Sequence, residues 1–71
     1  MKLNYYVETD SLYIDLASLP SVESREISEG VVLDYDQHGQ LVGIDIDNAS
    51  KKLDLTQLTI LHVPAEVHIK A

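Results

Sequence analysis

Residues 31–46 read VVLDYDQHGQLVGIDI, and this stretch decides the fold. Two segments in which apolar and polar residues alternate, Val31–Tyr35 and Leu41–Ile46, flank the polar tetrapeptide DQHG. Such alternation over four to eight residues is typical of half-buried β-strands, and Asp and Gly are turn residues. The stretch therefore predicts a β-hairpin with a four-residue loop, in which Asp36 accepts hydrogen bonds from backbone N–H groups and Gly39 takes a positive φ.

The same letters approach the calcium-loop pattern D-x-[DN]-x-[DN]-G-x₅-E, with Asp34, Asp36 and Asp45 at ligand positions. Matching the apolar faces of the two strands sets Leu33 opposite Val42. In that register Asp45 lies about 13 Å along the sheet from Asp34, at about 3.3 Å per residue. Calcium ligands lie within about 2.6 Å of the ion and the motif has helical flanks, so the hairpin is favoured.

The rest of the chain is also mainly of β type. Alternation predicts a first hairpin over residues 2–17 and a weak, polar edge strand over residues 22–27. Asp, Asn and Ser ahead of KKL favour a short helix or helical turn near residues 48–53. Residues 58–63 resemble a strand, and segment 54–71 stays open between strand, helix and exchange with another chain. We predict a single small domain that is mainly β (α+β), an antiparallel meander of two hairpins with that one short helix.

Composition excludes several classes of function. The chain has 71 residues and a net charge of −7, whereas binding of nucleic acid or an anionic membrane rests on clustered Lys and Arg. It has no cysteine, which excludes disulfides, thiolate zinc sites and cysteine nucleophiles. No apolar run approaches the roughly 20 residues that span a bilayer, and the N-terminal MKLNYYVETD lacks the core of a signal peptide. We expect a cytoplasmic protein.

The polar residues form no recognisable catalytic pattern. The serines lack a nucleophile elbow, there is no Gly-rich phosphate loop, and the three histidines lack ligand spacing. We therefore expect no enzymatic activity, no catalytic residue and no cofactor. The alternative is a small metal- or ligand-binding protein that uses Asp15, Asp34 and Asp45, which face one side of the predicted sheet.

Gly43 lies in the middle of a predicted strand. A mid-strand glycine often permits the close approach of another group. We expect an aromatic ring, from Tyr13 or Tyr6, to lie over it.

The segments DSLYIDL and GVVLDYDQHGQLVGIDIDNAS closely resemble the bacterial family of domain of unknown function 2283, over residues 5–50. The positions that recur in that family are matched by Asp34, Tyr35, Asp36, Gly39, Gly43, Ile44, Asp45, Ala49 and Ser50. Asp45 stands where the family more often has Glu. The resemblance implies a small β fold without an established activity. It further implies an antitoxin-type or immunity-type partner of a small toxin-like protein.

Both faces of the predicted sheet carry apolar residues, although one short helix is available to cover them. Exposed apolar patches rich in tyrosine mark interfaces. The residues that we predict to form the binding surface are Tyr6, Tyr13, Val32 and Leu41, with Asp34 and Asp45 on its acidic rim. We therefore predict a non-catalytic protein–protein interaction module that binds a protein partner or a second copy of itself, and its acidity favours a basic partner.

Overall fold

A computed structural model describes residues 1–55 and 66–70 of the chain. Its elements, in chain order, are β1 (Lys2–Tyr6), β2 (Ser11–Asp15), β3 (Glu23–Ser28), β4 (Val31–Tyr35), β5 (Leu41–Ile46), α1 (Ala49–Lys52) and β6 (Glu66–Lys70). The six strands form one sheet in the order β3-β4-β5-β2-β1-β6. The predictions of a mainly β chain, of the two hairpins β1–β2 and β4–β5, and of a short helix near residues 48–53 are confirmed. The strand predicted over residues 58–63 lies outside the described residues.

The prediction of an antiparallel meander is wrong, because the sheet is mixed. β2 pairs with β5 instead of β3, and β6 lies parallel to β1. β3 thereby lies at an edge of the sheet, as predicted, and all six of its residues are exposed. A meander would have placed this strand of Glu, Ser and Arg in the middle of the sheet, where apolar and β-branched residues are favoured. The observed order places strands with apolar faces there.

The hairpin formed by β4 and β5 has a different register from the predicted one. Leu33 pairs with Ile44, not with Val42, and Tyr35 pairs with Leu41. The register shift between these two pairs is a β-bulge that leaves Val42 without a partner on β4, and Val42 is 3% exposed. The bulge thus turns a residue predicted to be part of the ladder into a buried side chain of the core.

The turn of this hairpin has the predicted chemistry. Oδ1 of Asp36 accepts the backbone N–H groups of His38 at 2.8 Å and of Gln40 at 2.9 Å. Gly39 has a φ of 75° and donates its N–H to the carbonyl of Asp36 at 3.0 Å. The N–H of Asp36 also bonds to the carbonyl of Gln40 at 2.9 Å, so the loop has three residues and not four. Asp36 therefore builds a hairpin turn, not a calcium loop.

One side of the sheet carries most of the apolar side chains, and we call it the apolar face. Cross-strand pairing aligns on it Leu3, Tyr5, Leu12, Ile14, Val31, Leu33, Ile44, Ile46, Val67 and Ile69. Of the apolar side chains in the described residues, Leu12, Val42 and Ala49 are buried. The described part of the chain is thus one sheet with a thin core, whereas a domain ordinarily packs two layers against each other.

Candidate functional site

The opposite side of the sheet brings together most of the predicted binding residues. Two rows cross β2, β5 and β4: Tyr13 pairs with Asp45, which pairs with Val32, and Asp15 pairs with Gly43, which pairs with Asp34. We call this surface the acidic face, and it comprises Tyr6, Tyr13, Asp15, Val32, Asp34 and Asp45. Five of the six residues predicted for the binding surface therefore share one face.

Leu41 is the exception, and its predicted position is wrong. Because of the bulge it pairs with Tyr35, which follows Leu33 by two residues and therefore shares the apolar face. Leu41 thus lies on the other side of the sheet from Tyr6 and Tyr13.

Gly43 and Tyr13 make the close contact that organises the acidic face. A Cβ atom placed on Gly43 would overlap the hydroxyl of Tyr13 and lie 2.6 Å from its Cζ. The Tyr13 ring therefore lies over Gly43, as predicted. Only a residue without a side chain leaves room for the ring to pass from β2 across β5.

Beyond Gly43, the hydroxyl of Tyr13 reaches the carboxylate of Asp34 on β4. It donates to Oδ2 at 3.0 Å, while the hydroxyl of Ser24 on β3 donates to Oδ1 at 2.6 Å. The carboxylate of Asp34 thereby links three strands on this face, β2, β3 and β4. Burial, the hydrogen bond to Asp34 and the surrounding carboxylates raise the pKa of Tyr13 to about 12, so that it remains a neutral donor over the physiological range.

Among the described residues, no hydrogen bond or opposite charge lowers the pKa of Asp45. Burial raises its pKa, and the negative charges of Asp47 and Asp34 raise it further. Between the described residues, Arg25 and Glu23 form an ion pair within β3, and Glu66 contacts His68 within β6, which is an ion pair when the histidine is protonated. Neither contact involves an aspartate of the acidic face. The acidic face therefore holds negative charge that forms no ion pair with a basic side chain of the described residues, although Lys2 on β1 lies across from Asp15.

The geometry gives the metal-binding alternative no support. Asp15, Asp34 and Asp45 share a face, as predicted, but both oxygens of Asp34 already accept hydrogen bonds from hydroxyl groups. Asp15 and Asp34 flank Gly43, about 9.6 Å apart at two strand spacings, with the Tyr13 ring reaching between them. Residues 1–55 and 66–70 contain no group of three His, Asp or Glu side chains placed to hold a metal ion.

The separation of Asp34 and Asp45 also differs from the prediction. Asp34 pairs with Gly43, two residues from Asp45, so the two aspartates are diagonal neighbours. Diagonal neighbours lie about 7–8 Å apart, closer than the predicted distance and close enough for their charges to repel.

A second polar cluster, centred on Asp10, was missed by the sequence analysis. Asp10 lies in the turn between β1 and β2 with a φ of 53°. Its backbone carbonyl accepts the N–H of Ala49 at 2.8 Å, and its Oδ1 accepts the hydroxyl of Tyr5 at 2.7 Å and the N–H of Ser50 at 3.1 Å. Its Oδ2 accepts the hydroxyl of Ser50 at 2.7 Å.

Asp10 thus caps α1 from a distant part of the chain, although Asn48 occupies the N-cap position, as expected. Asn48 precedes the helix in a left-handed conformation, φ 52°, and its side chain makes no capping bond. The hydrogen bonds from Ser50 and Tyr5 hold the pKa of Asp10 below its usual value. The sequence signal for this contact is the pair Ala49-Ser50, which matches positions that recur in the family that the chain resembles. Ala49 is fully buried, and Ser50 donates a hydrogen bond to Asp10.

Comparison with known proteins places the chain in a family. Residues 2–50 match the family described as "Protein of unknown function (DUF2283)". The chain belongs to this family. The matched part of the DUF2283 chain contains the acidic face and the Asp10 cluster, and it ends before β6.

A curated protein similar to the chain comes from an archaeon. The "Uncharacterized protein MJ0789" of the archaeon Methanocaldococcus jannaschii is 30% identical to this chain over 61 residues, or 86% of the chain. The alignment covers 52% of that relative, so the chain spans about half its length. No solved structure matches the chain. Among the described residues, no helix has the length and apolar character needed to cross a membrane.

Proposed function

We propose that this DUF2283 protein is a non-catalytic protein–protein interaction module whose acidic face binds a basic protein. The observation that carries the proposal is the charge of the acidic face. Asp34 and Asp45 have no basic cross-strand neighbour, and Asp15 lies across from Lys2 without forming an ion pair among the described residues. Burial and like charge raise the pKa of Asp45, so its ionised form lacks the solvation or counter-charge that it would have in water. A Lys or Arg of another protein placed beside Asp45 would relieve that cost.

Apolar groups beside the aspartates supply the contact area that such a complex needs. Tyr6 is 41% exposed, and Tyr13 and Val32 flank Asp45 on the neighbouring strands. Aromatic residues are enriched in the cores of protein interfaces, whereas charges at the rim govern the rate of association and the choice of partner. The net charge of −7 would attract a basic protein over a distance and in a salt-dependent way.

The specific form of the proposal is an antitoxin or immunity protein that neutralises a small basic toxin in the cytoplasm. It is supported by the acidity, the small size and the family resemblance. The product of the gene adjacent to the one that encodes this chain is the first partner to test. Co-purification of the two proteins from a strain that expresses both is the direct measurement.

Affinity measurements on variants would test the role of the acidic face. Asp45→Asn should weaken binding of that partner about tenfold, which corresponds to about 1.4 kcal/mol. Glu8→Gln removes the same charge from an exposed turn residue and should leave the affinity within about twofold, since isolated surface charges contribute little. Equal losses for both variants would show that net charge, and not the acidic face, attracts the partner. Failure of the folded protein to bind the partner at all would count against the antitoxin form.

A further inference from the structure

In the part of the sheet that the structure describes, β6 is an exposed edge strand. β1 lies on one side of it, and the described residues place no strand on the other side. All five residues of β6 are exposed, and its two apolar side chains are among the most exposed, Val67 at 51% and Ile69 at 74%. Edges of this kind, with unpaired backbone groups and apolar side chains, are templates for pairing with another strand.

Both outer strands of the described sheet carry charged residues, but β3 is also interrupted by a bulge, whereas β6 is not. β3 carries three charged residues, Glu23, Arg25 and Glu26, and its register shifts between Glu26 and Ser28. Charges and bulges on an edge strand discourage pairing with other chains. β6 pairs with β1 in an unbroken register and contains no proline.

The hydrogen bonds of β6 to β1 determine which of its residues present backbone groups to the outside. The N–H of Glu66 bonds to the carbonyl of Met1 at 2.9 Å, and the carbonyl of Lys70 accepts the N–H of Val7 at 2.8 Å. Backbone groups of alternate residues in a strand point to opposite sides. Val67 and Ile69 therefore direct their N–H and C=O groups away from β1, toward an incoming strand.

We propose that the incoming strand is β6 of a second copy of this chain, antiparallel and centred on His68. In this register Val67 lies opposite the partner's Ile69, and Ile69 lies opposite the partner's Val67. Both are hydrogen-bonded pairs, as the outward direction of their backbone groups requires, so four backbone bonds form. The two sheets join into one sheet of twelve strands with a two-fold axis at His68.

The charges of β6 select this register among those that the backbone allows. Centring on His68 places Glu66 opposite the partner's Lys70 and Lys70 opposite the partner's Glu66. Centring on Val67 would instead place Glu66 opposite the partner's His68, and centring on Ile69 would place Lys70 opposite the partner's His68. Opposite charges directly across a strand pair are favourable and like charges are unfavourable, so the register centred on His68 makes two ion pairs that the others lack.

The side-chain pattern also joins the apolar faces of the two copies. Val67 and Ile69 border a groove of about 350 Å³ on the apolar face, which is also lined by Leu3, Tyr5, Ile14 and Leu53. In the dimer the two grooves lie on the same side of the joined sheet, next to the shared strand pair. The dimer uses an edge of the sheet and leaves Asp15, Asp34 and Asp45 accessible, so it is independent of the proposed binding of a basic protein.

Sedimentation velocity of the full chain over a concentration series would test the proposal. We expect a monomer–dimer equilibrium between about 1 µM and about 1 mM, because edge pairing buries a small interface. Lys70→Glu places carboxylates opposite each other and should weaken the dimer at least tenfold. The double variant Glu66→Lys/Lys70→Glu restores opposite charges in the same register and should restore the affinity to within about threefold. Ile27→Lys, at the opposite edge, serves as the matched control and should leave the dimer unchanged.

Amide hydrogen exchange of the wild-type chain tests the same register without any variant. The N–H groups of Val67 and Ile69 should exchange more slowly as the concentration rises, whereas the amides of β3 should not change. A monomer at 1 mM would overturn the proposal. So would a dimer that Lys70→Glu leaves intact, a charge swap that fails to restore association, or exchange at Val67 and Ile69 that does not depend on concentration.

Discussion

Replacing Gly43 by alanine perturbs the contact on which the acidic face is built. In an ordinary strand this change stabilises a protein by about 0.5–1 kcal/mol, because alanine loses less backbone entropy on folding. At Gly43 the new methyl group would occupy the space of the Tyr13 ring, 2.6 Å from its Cζ. The ring must move aside, and its hydroxyl then loses the 3.0 Å hydrogen bond to Asp34.

The expected net effect follows from these two contributions. A hydrogen bond to a charged group contributes about 1.5–3 kcal/mol, and the entropic gain from alanine offsets about 0.5–1 kcal/mol of its loss. Gly43→Ala should therefore lower the free energy of unfolding by about 1–2 kcal/mol. For a domain of this size each kcal/mol shifts Tm by about 4–8 °C, so a loss of roughly 5–15 °C is expected.

Thermal and urea unfolding at one fixed protein concentration would measure this effect. The decisive control is the same substitution in a Tyr13→Ala background, where the three atoms nearest to the new methyl group, all in the Tyr13 ring and hydroxyl, are absent. There the sign should reverse, and Gly43→Ala should stabilise the protein by about 0.5–1 kcal/mol. If Gly43→Ala destabilises both backgrounds equally, the Tyr13 ring is not what the methyl group meets and the reasoning is refuted.

Three further predictions concern pH. The pKa of Tyr13 is about 12 in the folded protein and about 10 in the unfolded chain. The stability that Tyr13 contributes is therefore present below pH 10 and lost as the pH rises through 12. Over that range, the urea midpoints of the wild type should fall toward those of Tyr13→Phe. Burial raises the pKa of Asp45, so ionisation destabilises the fold, and Asp45→Asn should raise Tm at pH 7 but not at a pH low enough to protonate the aspartate in both states. Hydrogen bonds from Ser50 and Tyr5 lower the pKa of Asp10, so Asp10→Asn should lower Tm at pH 7. The difference in Tm between the variant and the wild type should close as the pH falls through the folded pKa of Asp10, and a difference that stays constant would contradict the role of these hydrogen bonds.

Features that depend on neighbouring residues could be predicted from the sequence. The turn is specified within five residues, because Asp36 offers a carboxylate to the N–H groups just after it and Gly39 tolerates a positive φ. Gly43 signalled a close approach because a strand interior otherwise favours a residue with a side chain to pack. The charges of β3 signalled its edge position.

Strand order could not be predicted in the same way. Alternation shows which residues share a face of a strand, and the same faces match whether β2 pairs with β3 or with β5. The contact between Asp10 and Ser50 spans 40 residues and exists only because β2 lies beside β5, which brings the first turn next to α1. The site residues could therefore be assigned to a face before their neighbours on that face were known.

Leu41 lies on the apolar face, although the sequence predicted it on the opposite face, and two shifts of register explain the difference. The predicted loop of four residues paired Tyr35 with Gln40, whereas the observed loop pairs Asp36 with Gln40, a shift of one residue. The bulge at Val42 adds a second shift of one residue in the same direction. Two such shifts return the strands beyond the bulge to the predicted faces, because the side-chain period of a strand is two. Of the predicted binding residues, only Leu41 lies between the two shifts, so only Leu41 changed face, while Asp45 lies beside Tyr13 on the acidic face.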